Sequence, residues 1–496
     1  VQRVTRKAKQ NDVPALGALD RQAGQLSRQL TQALRQAIRN GSLQPGEALP
    51  STRRLARALQ LARGTVTEAY EQLVAEGFLV SRRGSGTWVT PFQDVTPPTS
   101  APPLCAPPLS AQAQAFARAA GCIVTLPAAP FAVSEPVGAA APDDVWRTLG
   151  NRLRARGAGA PAGYAAPHGA WPLRQAVAEY VRTARSVQCT PEQVIITAGI
   201  QQGLALSAQV LLDAGEAAWV EDPGYPGITA LFESTCRDRR MIRVPVDAEG
   251  LDVQAGEALA PHARAAFVTP SHQYPLGMPM SMSRRNALVG WARAQQAWIV
   301  EDDYDSEFRY TGHPFPALQG LAPAQVVYLG TFSKILFPSL RLGYAVVPEA
   351  LVEAFCGARL LMDRHPPGAD QTLLAAFMAE GHLARHIRRL RTLYAEKHHD
   401  LNRAVAEQID PALAWLQPCD QGMHRVLWLR ESDDRVVLPL ALAAGVAVRA
   451  ISPMYANGHG RSGLLLGLGG YPREQVEAAA RTLNRILIKT RNSASA

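Results

Sequence analysis

Lys334 stands in the stretch YLGTFSKILFPSLRLGY (Tyr328–Tyr344), with Thr331, Ser333 and Arg341 close by along the same loop, and EDDYDSEFRY (Glu301–Tyr310) places Asp302 and Tyr304 a short way upstream. A lysine amine condenses with an aldehyde to give an imine. Hydroxyls grip a phosphate, and an arginine can do so bidentately. A buried carboxylate is the natural partner of a protonated ring nitrogen. Together these residue types describe a site for a phosphorylated aldehyde carried on a nitrogen heterocycle. Trp298, Ile299 and Val300 form an apolar run that reads as a strand entering the cluster. Asp302 and Tyr304, two residues apart, therefore point to one face, and Asp303 is the replacement carboxylate should Asp302 point away. Either fragment alone is weak, since a lysine after a serine is usually solvated and an acidic run is usually an exposed turn. Their order and spacing carry the reading.

In that order and spacing the segment resembles the fold type I aminotransferases, which implies pyridoxal 5'-phosphate as cofactor and Lys334 as the residue that holds it. The resemblance implies Asp302 on the pyridine nitrogen, Tyr304 on the ring oxygen, and Thr331, Ser333 and Arg341 on the phosphate. It also implies a phosphate seat at a helix start, where free N–H groups and the helix dipole favour an anion. VIITAGIQQGLAL (194–206) fits, with Gly199 before a helix opening at Ile200 and Gln201. The family more often has a hydroxyl where Ile200 stands, so that contact would be through backbone alone. Tyr225 in EDPGYPG matches the aromatic that stacks on the cofactor ring, and Tyr164 in GYAAPHG matches the residue a neighbouring subunit lends to the phosphate, which implies a homodimer. VTPSHQYPLG (268–277) stands where ordinary aminotransferases carry an Asn-Pro-Thr-Gly loop, with Tyr274 in the asparagine's place. His272 and Tyr274 are candidates for a hydrogen bond to the ring oxygen, and both could equally be core polar groups. SHQYPLG, EDPGYPG and EDDYDSEFRY together resemble one subgroup, the MocR-type regulators, in which such a domain is fused to a DNA-binding domain.

The first ninety residues answer to that fusion. Leu30, Leu34, Ala37 and Ile38 recur at helical spacing before an Asn40-Gly41 stop. Ser51 is a ready N-cap for a second helix through Leu55, Ala56 and Leu59. A third helix is expected from about Thr65 to Glu76, with Val66, Ala69, Tyr70 and Leu73 on its inner face and Arg63, Thr65 and Thr67 at its start placed for a major groove. Phe78–Val80 and Thr87–Val89 read as strands of a wing whose connection carries Arg82, Arg83, Gly84 and Gly86, suited to phosphates or a minor groove. PGEALPSTRRLARAL and the GSGTWV ending resemble the GntR class of winged helix-turn-helix domains. The DNA-binding candidates are therefore Ser51, Arg53, Arg54, Arg63, Thr65, Thr67, Tyr70, Arg82, Arg83, Gly84 and Gly86. Residues 1–90 hold 14 Lys and Arg against 6 Asp and Glu, a net of +8 in a chain of net +9. Charge so concentrated is the footprint of a polyanion-binding module, here double-stranded operator DNA.

Between Pro91 and Pro108 there are seven prolines and one charged residue, Asp94. That composition packs no core and favours extended chain. The expected division is a DNA-binding domain at 19–90, a proline-rich linker at 91–118 and an aminotransferase-like domain at 119–490. The fold class is α/β: a winged helix-turn-helix, then a mostly parallel sheet covered by helices, then a small α+β terminal subdomain from Val426–Leu429 and Leu464–Leu468. The basic helix around His386–Arg391 reads as an amphipathic element buried through Leu383, Ile387, Leu390 and Tyr394, not as a second nucleic-acid site. The six cysteines form no Cys-x-x-Cys pair and the histidines show no metal-ligand spacing, so neither metal nor disulfide framework is expected. No apolar run reaches membrane-spanning length and no apolar signal core opens the chain; no membrane association and a cytoplasmic location are the expectation.

Two function classes compete. One is a transcription regulator that senses a small amine, an amino acid or pyridoxal phosphate through a Schiff base at Lys334. The other is an active aminotransferase with an accessory DNA-binding domain. Turnover also requires a clamp for the substrate carboxylate. Relatives that sense γ-aminobutyrate have an arginine where this chain has Gly227, so the resemblance points instead to the branch that responds to pyridoxal phosphate and controls vitamin B6 synthesis. Arg461 is the candidate for an effector carboxylate. A third reading, the fold without the cofactor, fits poorly with the retained Lys334, Asp302, Tyr304, Ser333 and Arg341.

Overall fold

The computed structural model describes residues 16, 19–82, 86–91, 108–122, 125–133, 136, 141–157, 163–312, 315–458 and 460–494. The chain divides into two compact units, Val1–Pro108 and Leu109–Ala496.

In the first unit, helices Leu26–Arg39, Thr52–Leu59 and Arg63–Ala75 bury Leu30, Leu34, Leu55, Val66, Ala69 and Leu73 against one another. Ser51 caps the second helix, its hydroxyl accepting from the Arg54 N–H, one of the orphan donors of a helix start. Strands β1 (Ala48–Leu49), β2 (Leu79–Arg82) and β3 (Gly86–Val89) form an antiparallel sheet in the order β1-β3-β2. β1, which pairs Ala48 with Trp88 and Leu49 with Thr87, is too short to have shown a periodic pattern.

The second unit is built on an eight-stranded sheet of β4 (Val194–Thr197), β5 (Ala217–Asp222), β6 (Arg240–Asp247), β7 (Gly250–Leu251), β8 (Ala265–Val268), β9 (Trp298–Asp303), β10 (Val326–Thr331) and β11 (Gly343–Val346). Their order is β4-β11-β10-β9-β8-β5-β6-β7. From β6 through β10 the neighbours are parallel, whereas β11 runs antiparallel to both β10 and β4. Strands buried on both faces need continuous apolar runs, as Val194–Ile196 and Val326–Leu329 supply. A second sheet, β12 (Ala414–Leu416), β13 (His424–Leu429), β14 (Arg449–Ala450) and β15 (Gly463–Gly467), is antiparallel in the order β12-β13-β15-β14. The long helix His382–Gln408 buries Leu383, Ile387, Leu390 and Tyr394, which leaves its arginines on the outer face.

Two boundaries differ from expectation. The linker was expected to run to residue 118, but Ala111–Cys122 is a helix of the second unit, packed against helix Pro226–Glu233. Its alanines and glutamines favour helix once the prolines end. The third helix of the first unit opens two residues earlier than expected, at Arg63. Among the described residues no helix is long and apolar enough to cross a membrane.

Tyr70, expected at the DNA, is instead a core residue: it is buried and its hydroxyl donates to the Pro50 carbonyl at 2.9 Å. It sits on the helix face shared with Val66, Ala69 and Leu73, which turns it away from any groove. Tyr70→Phe should therefore lower the first unit's stability by about 1 kcal/mol in thermal unfolding. It should leave the salt dependence of DNA binding unchanged.

Candidate functional site

Parallel strands end at a common edge, and there the second unit opens a cavity of about 340 Å³. β9 delivers Asp302 and the turn after it Tyr304; β10 delivers Thr331, followed by Ser333 and Lys334; Arg341 precedes β11. The opposite walls are Ile200 and Gln201 at a helix start, Tyr225, Tyr274 and Thr269.

The strand alternation separates two neighbouring acids. Asp302 faces the cavity, while Asp303 turns to the other side of the sheet, where Oδ2 accepts from Arg185 Nε at 2.8 Å and from the Tyr328 hydroxyl at 2.6 Å. Asp302 Oδ1 has no hydrogen-bond partner among the described residues. Burial, then the nearby Asp303, Glu221 and Asp305, push the Asp302 carboxyl well above its ordinary range, with Lys334 opposing them. An orphaned carboxyl oxygen at this place fits a ring nitrogen. Lys334 is pulled down to about 8: burial disfavours its charge, Asp305 and Asp302 resist, and Arg341 adds to the lowering.

The phosphate end is equally specific. Gly199, with φ of 90°, caps the helix Ile200–Leu211 and lets the chain turn so that the N–H groups of that helix start are presented. Arg341 lies over it, donating from Nη2 to the Ala198 carbonyl at 2.8 Å; a Cβ on residue 199 would stand 3.2 Å from the same nitrogen. Ser333 Oγ is buried and without a partner among the described residues, and the Ser333 N–H donates to Thr331 Oγ1 at 3.1 Å. The hydroxyl, the guanidinium and the helix start match a phosphate. Tyr225 supplies the aromatic wall, its ring edge-on to Tyr274 with centroids 5.7 Å apart.

Behind this wall lies a polar layer. His272 does not reach the cavity; it acts through Tyr304, whose hydroxyl lies 3.0 Å from His272 Nδ1. The same nitrogen is 2.9 Å from Asp305 Oδ2. Burial alone would favour neutral imidazole, but the Asp305 charge and hydrogen bond, with help from Cys419, carry His272 up to about 10. Burial and then Asp305 keep the Tyr304 phenol well above its ordinary range, so it stays protonated. His272, Asp305 and His424 bring ligand-type atoms within 4.8 Å of one another, although no metal-ligand spacing was visible in the sequence. Because His272 Nδ1 is engaged by Asp305 and His424 Nε2 by the Pro275 carbonyl at 3.0 Å, the cluster is a hydrogen-bonded network.

Of the remaining candidates, Tyr164 was expected to serve a neighbouring subunit and Arg461 an effector carboxylate. Tyr164 is 78% exposed beneath Arg364, whose guanidinium carbon is 3.8 Å from the ring centroid, and is absent from its own chain's cavity. Arg461 stacks over Trp428 and Trp415, at 4.4 and 5.3 Å, and does not line the cavity either. Besides Arg341, the cavity feels Arg449 on β14: both temper the burial-driven rise of the Tyr225 phenol, and Arg449 that of Tyr274. Gly227 could carry no side chain without repacking, because a Cβ there would come within 2.3 Å of the Tyr225 ring. Thr269 was missed by sequence reading: its role is to fasten Glu221, through Oγ1 at 2.5 Å and its N–H at 3.1 Å, and no motif marks such a distant pairing.

On the first unit, Ser51, Arg53, Arg54, Arg63, Arg82 and Gly86 are exposed and Thr65 and Thr67 half-buried, while Arg83 and Gly84 lie outside the described residues. The basic side chains gather at the starts of the second and third helices and on the wing strand.

Both units match known families. The family model for aminotransferase class I and II matches residues 131–483, and that for bacterial regulatory proteins of the gntR family matches residues 26–89. The chain is 36% identical to the probable rhizopine catabolism regulatory protein MocR of Rhizobium meliloti, over 96% of each chain. It is 33% identical to the pyridoxine biosynthesis transcriptional regulator PdxR of Corynebacterium glutamicum, over 90% of this chain and 92% of that one. Among solved structures, LysN, the α-aminoadipate aminotransferase of Thermus thermophilus, superposes with a TM-score of 0.68 at 28% identity, covering 76% of this chain and 98% of its own. With the orphaned Asp302 and Ser333 atoms, these likenesses indicate that the cavity binds pyridoxal phosphate.

Only the neutral amine of Lys334 is a nucleophile. With the group at about 8, about a tenth of the lysine is neutral at pH 7. The rate of cofactor capture, followed by stopped-flow absorbance, should climb as pH rises and level off above about pH 9. A rate still climbing at pH 10 would mean an ordinary, solvated lysine.

Proposed function

Because the chain belongs to the MocR-type regulators, in which a GntR-family DNA-binding unit precedes an aminotransferase class I and II domain, we propose that it is a transcription regulator whose hold on operator DNA depends on pyridoxal phosphate, or on an amino compound meeting it, at Lys334. The observation that carries this reading is the convergence of Lys334, Asp302 and the phosphate seat on one cavity in a chain whose other unit displays its arginines at helix starts.

When bound, pyridoxal phosphate supplies an aldehyde and an electron-withdrawing ring. The chain's own residues do the rest. Lys334 provides the attacking amine; Asp302 holds a proton against the ring nitrogen; Tyr304, backed by His272 and Asp305, offers a hydroxyl to the ring oxygen; Tyr225 covers the ring. Ser333, Thr331, Arg341 and the N–H groups at Ile200 and Gln201 bind the phosphate. Control of vitamin B6 metabolism is the physiological role we favour, on the likeness to the pyridoxine biosynthesis regulator and on the crowding at Gly227, which leaves no room for a second clamp beside Tyr225.

For a carboxylate-bearing effector, Arg449 replaces Arg461 in this proposal. β14 sets it opposite Leu465, which packs with Tyr274. The exposed Tyr164 and the apolar Leu361, 87% exposed, suit a homodimer in which a partner subunit covers them, and two DNA-binding units would then read paired half-sites. The intact Lys334 and Asp302 favour a second reading, an aminotransferase with an accessory DNA-binding domain.

Coupling is a difference in DNA affinity between ligand states. Lys334→Ala should abolish the change in operator affinity caused by pyridoxal phosphate; an unchanged response would sink the regulator reading, and steady transamination by the wild-type protein without DNA binding would favour the enzyme. Arg53→Ala and Arg63→Ala should each weaken DNA binding and reduce the salt slope by about 1, with the cofactor's absorption spectrum untouched. Arg449→Ala should weaken binding of amino acid effectors while cofactor binding persists, as read by spectral titration.

A further inference from the structure

Cys419 differs from the other cysteines whose surroundings are described. Cys189, Cys236 and Cys356 are buried, and burial pushes all three thiols up. Cys419 is half-buried between the exposed Pro418 and Asp420. Its Sγ and the outer nitrogen of His272 both border Gly277, where an added Cβ would be 3.2 Å from His272 Nε2 and 3.8 Å from Cys419 Sγ. That nitrogen belongs to a side chain 2% exposed and has no regular hydrogen-bond partner among the described residues. His272 is held from its other side by Asp305 at 2.9 Å. A carboxylate orienting an imidazole that faces a thiol is the arrangement that activates a sulfur nucleophile.

We propose that Cys419 is an oxidation-sensitive thiol, paired with His272, that hydroperoxides convert to a sulfenic acid, and that this modification is transmitted to the cofactor site through Tyr304. The thiolate attacks one peroxide oxygen. An S–O bond forms as the O–O bond breaks, sulfur gives up two electrons to the peroxide, and the departing hydroxide takes the Nε2 proton of His272 to leave as water. His272, which Asp305 keeps protonated, recovers that proton from water, so the lasting change behind the Tyr304 hydroxyl is the loss of the thiolate's negative charge.

Several groups set the sulfur's protonation. The thiol lies within donating distance of the carbonyls of Gln421, at 3.2 Å, and Gly277, at 3.6 Å. Burial pushes the thiol up, but the neighbouring His272, a backbone hydrogen bond at Gln421 and Arg425 on β13 carry it below its ordinary value. Asp305, Asp420, His398, Tyr310 and Tyr304 complete the charged and titratable surroundings; His398 engages the Cys419 carbonyl at 2.8 Å.

Thiol reactivity is independent of the proposed function, whereas its transmission rests on the cofactor reading. The test has matching arms on the full-length protein loaded with pyridoxal phosphate. Site-resolved mass spectrometry after iodoacetamide at a series of pH values should show Cys419 alkylating with a lower pH midpoint than Cys105 and losing that advantage in His272→Asn or Asp305→Asn. Limiting hydrogen peroxide followed by dimedone should label Cys419 first. Peroxide should also lower the pH midpoint at which the bound cofactor's visible band titrates, in wild type and not in Cys419→Ser. A Cys419 midpoint equal to that of Cys105 overturns the site. Labelling of Cys419 with an unmoved cofactor titration overturns the transmission and leaves the thiol chemistry standing.

Discussion

Four carboxyl groups, Glu221, Asp302, Asp303 and Asp305, meet at the carboxyl ends of β5 and β9 in a water-poor interior. Uncompensated, each would cost several kcal/mol as a buried charge. Much of the second unit is arranged to settle them. Arg185 and Tyr328 neutralise Asp303, and His272 pairs with Asp305. Glu221, which burial pushes up to about 7, takes two hydrogen bonds from Thr269 and one from Gln273. Asp302 is left with its carboxyl pushed well above the ordinary range and an oxygen facing the cavity, and Lys334 is pulled down to about 8 by the same desolvation. The reactive pair thus follows from how the surrounding acids are compensated, in addition to what Lys334 and Asp302 are themselves.

That dependence also explains which parts were legible in the sequence. Lys334, Ser333, Arg341, Asp302 and Tyr304 come from two neighbouring strand ends, so a short span of sequence displays them together, and the alternation of β9 separates Asp302 from Asp303 by residue parity alone. The groups that balance them come from far along the chain: Arg185 is 118 residues from Asp303, and Thr269 is 48 from Glu221. Nothing local marks such partners. His272 was visible as a polar residue in a distinctive loop, yet its place behind Tyr304 depends on the turn after β9. Tyr70 was counted both with the inner face of its helix and with the DNA-binding candidates; helical phase decides between the two, and that phase belongs to the core. The linker's end was misplaced because prolines mark where a helix cannot be and say less about where one begins.

In the first unit, legibility had another source. Winged helices are short and local, their core positions repeat within each helix, and Ser51 and Asn40-Gly41 fix the helix ends by capping chemistry. The charge that suits this unit to DNA requires no fold at all to be seen. What links it to the cofactor cavity is the free-energy difference between ligand states, which composition and local pattern do not encode.

The most direct test is a titration of the purified protein with pyridoxal phosphate in which the absorption spectrum and the affinity for operator-containing DNA are read in the same samples at fixed salt. A lysine-bound cofactor band that rises together with a change in DNA affinity, at one common midpoint, is the result expected of a cavity that serves as a sensor. A band that saturates while DNA affinity stays flat would contradict it.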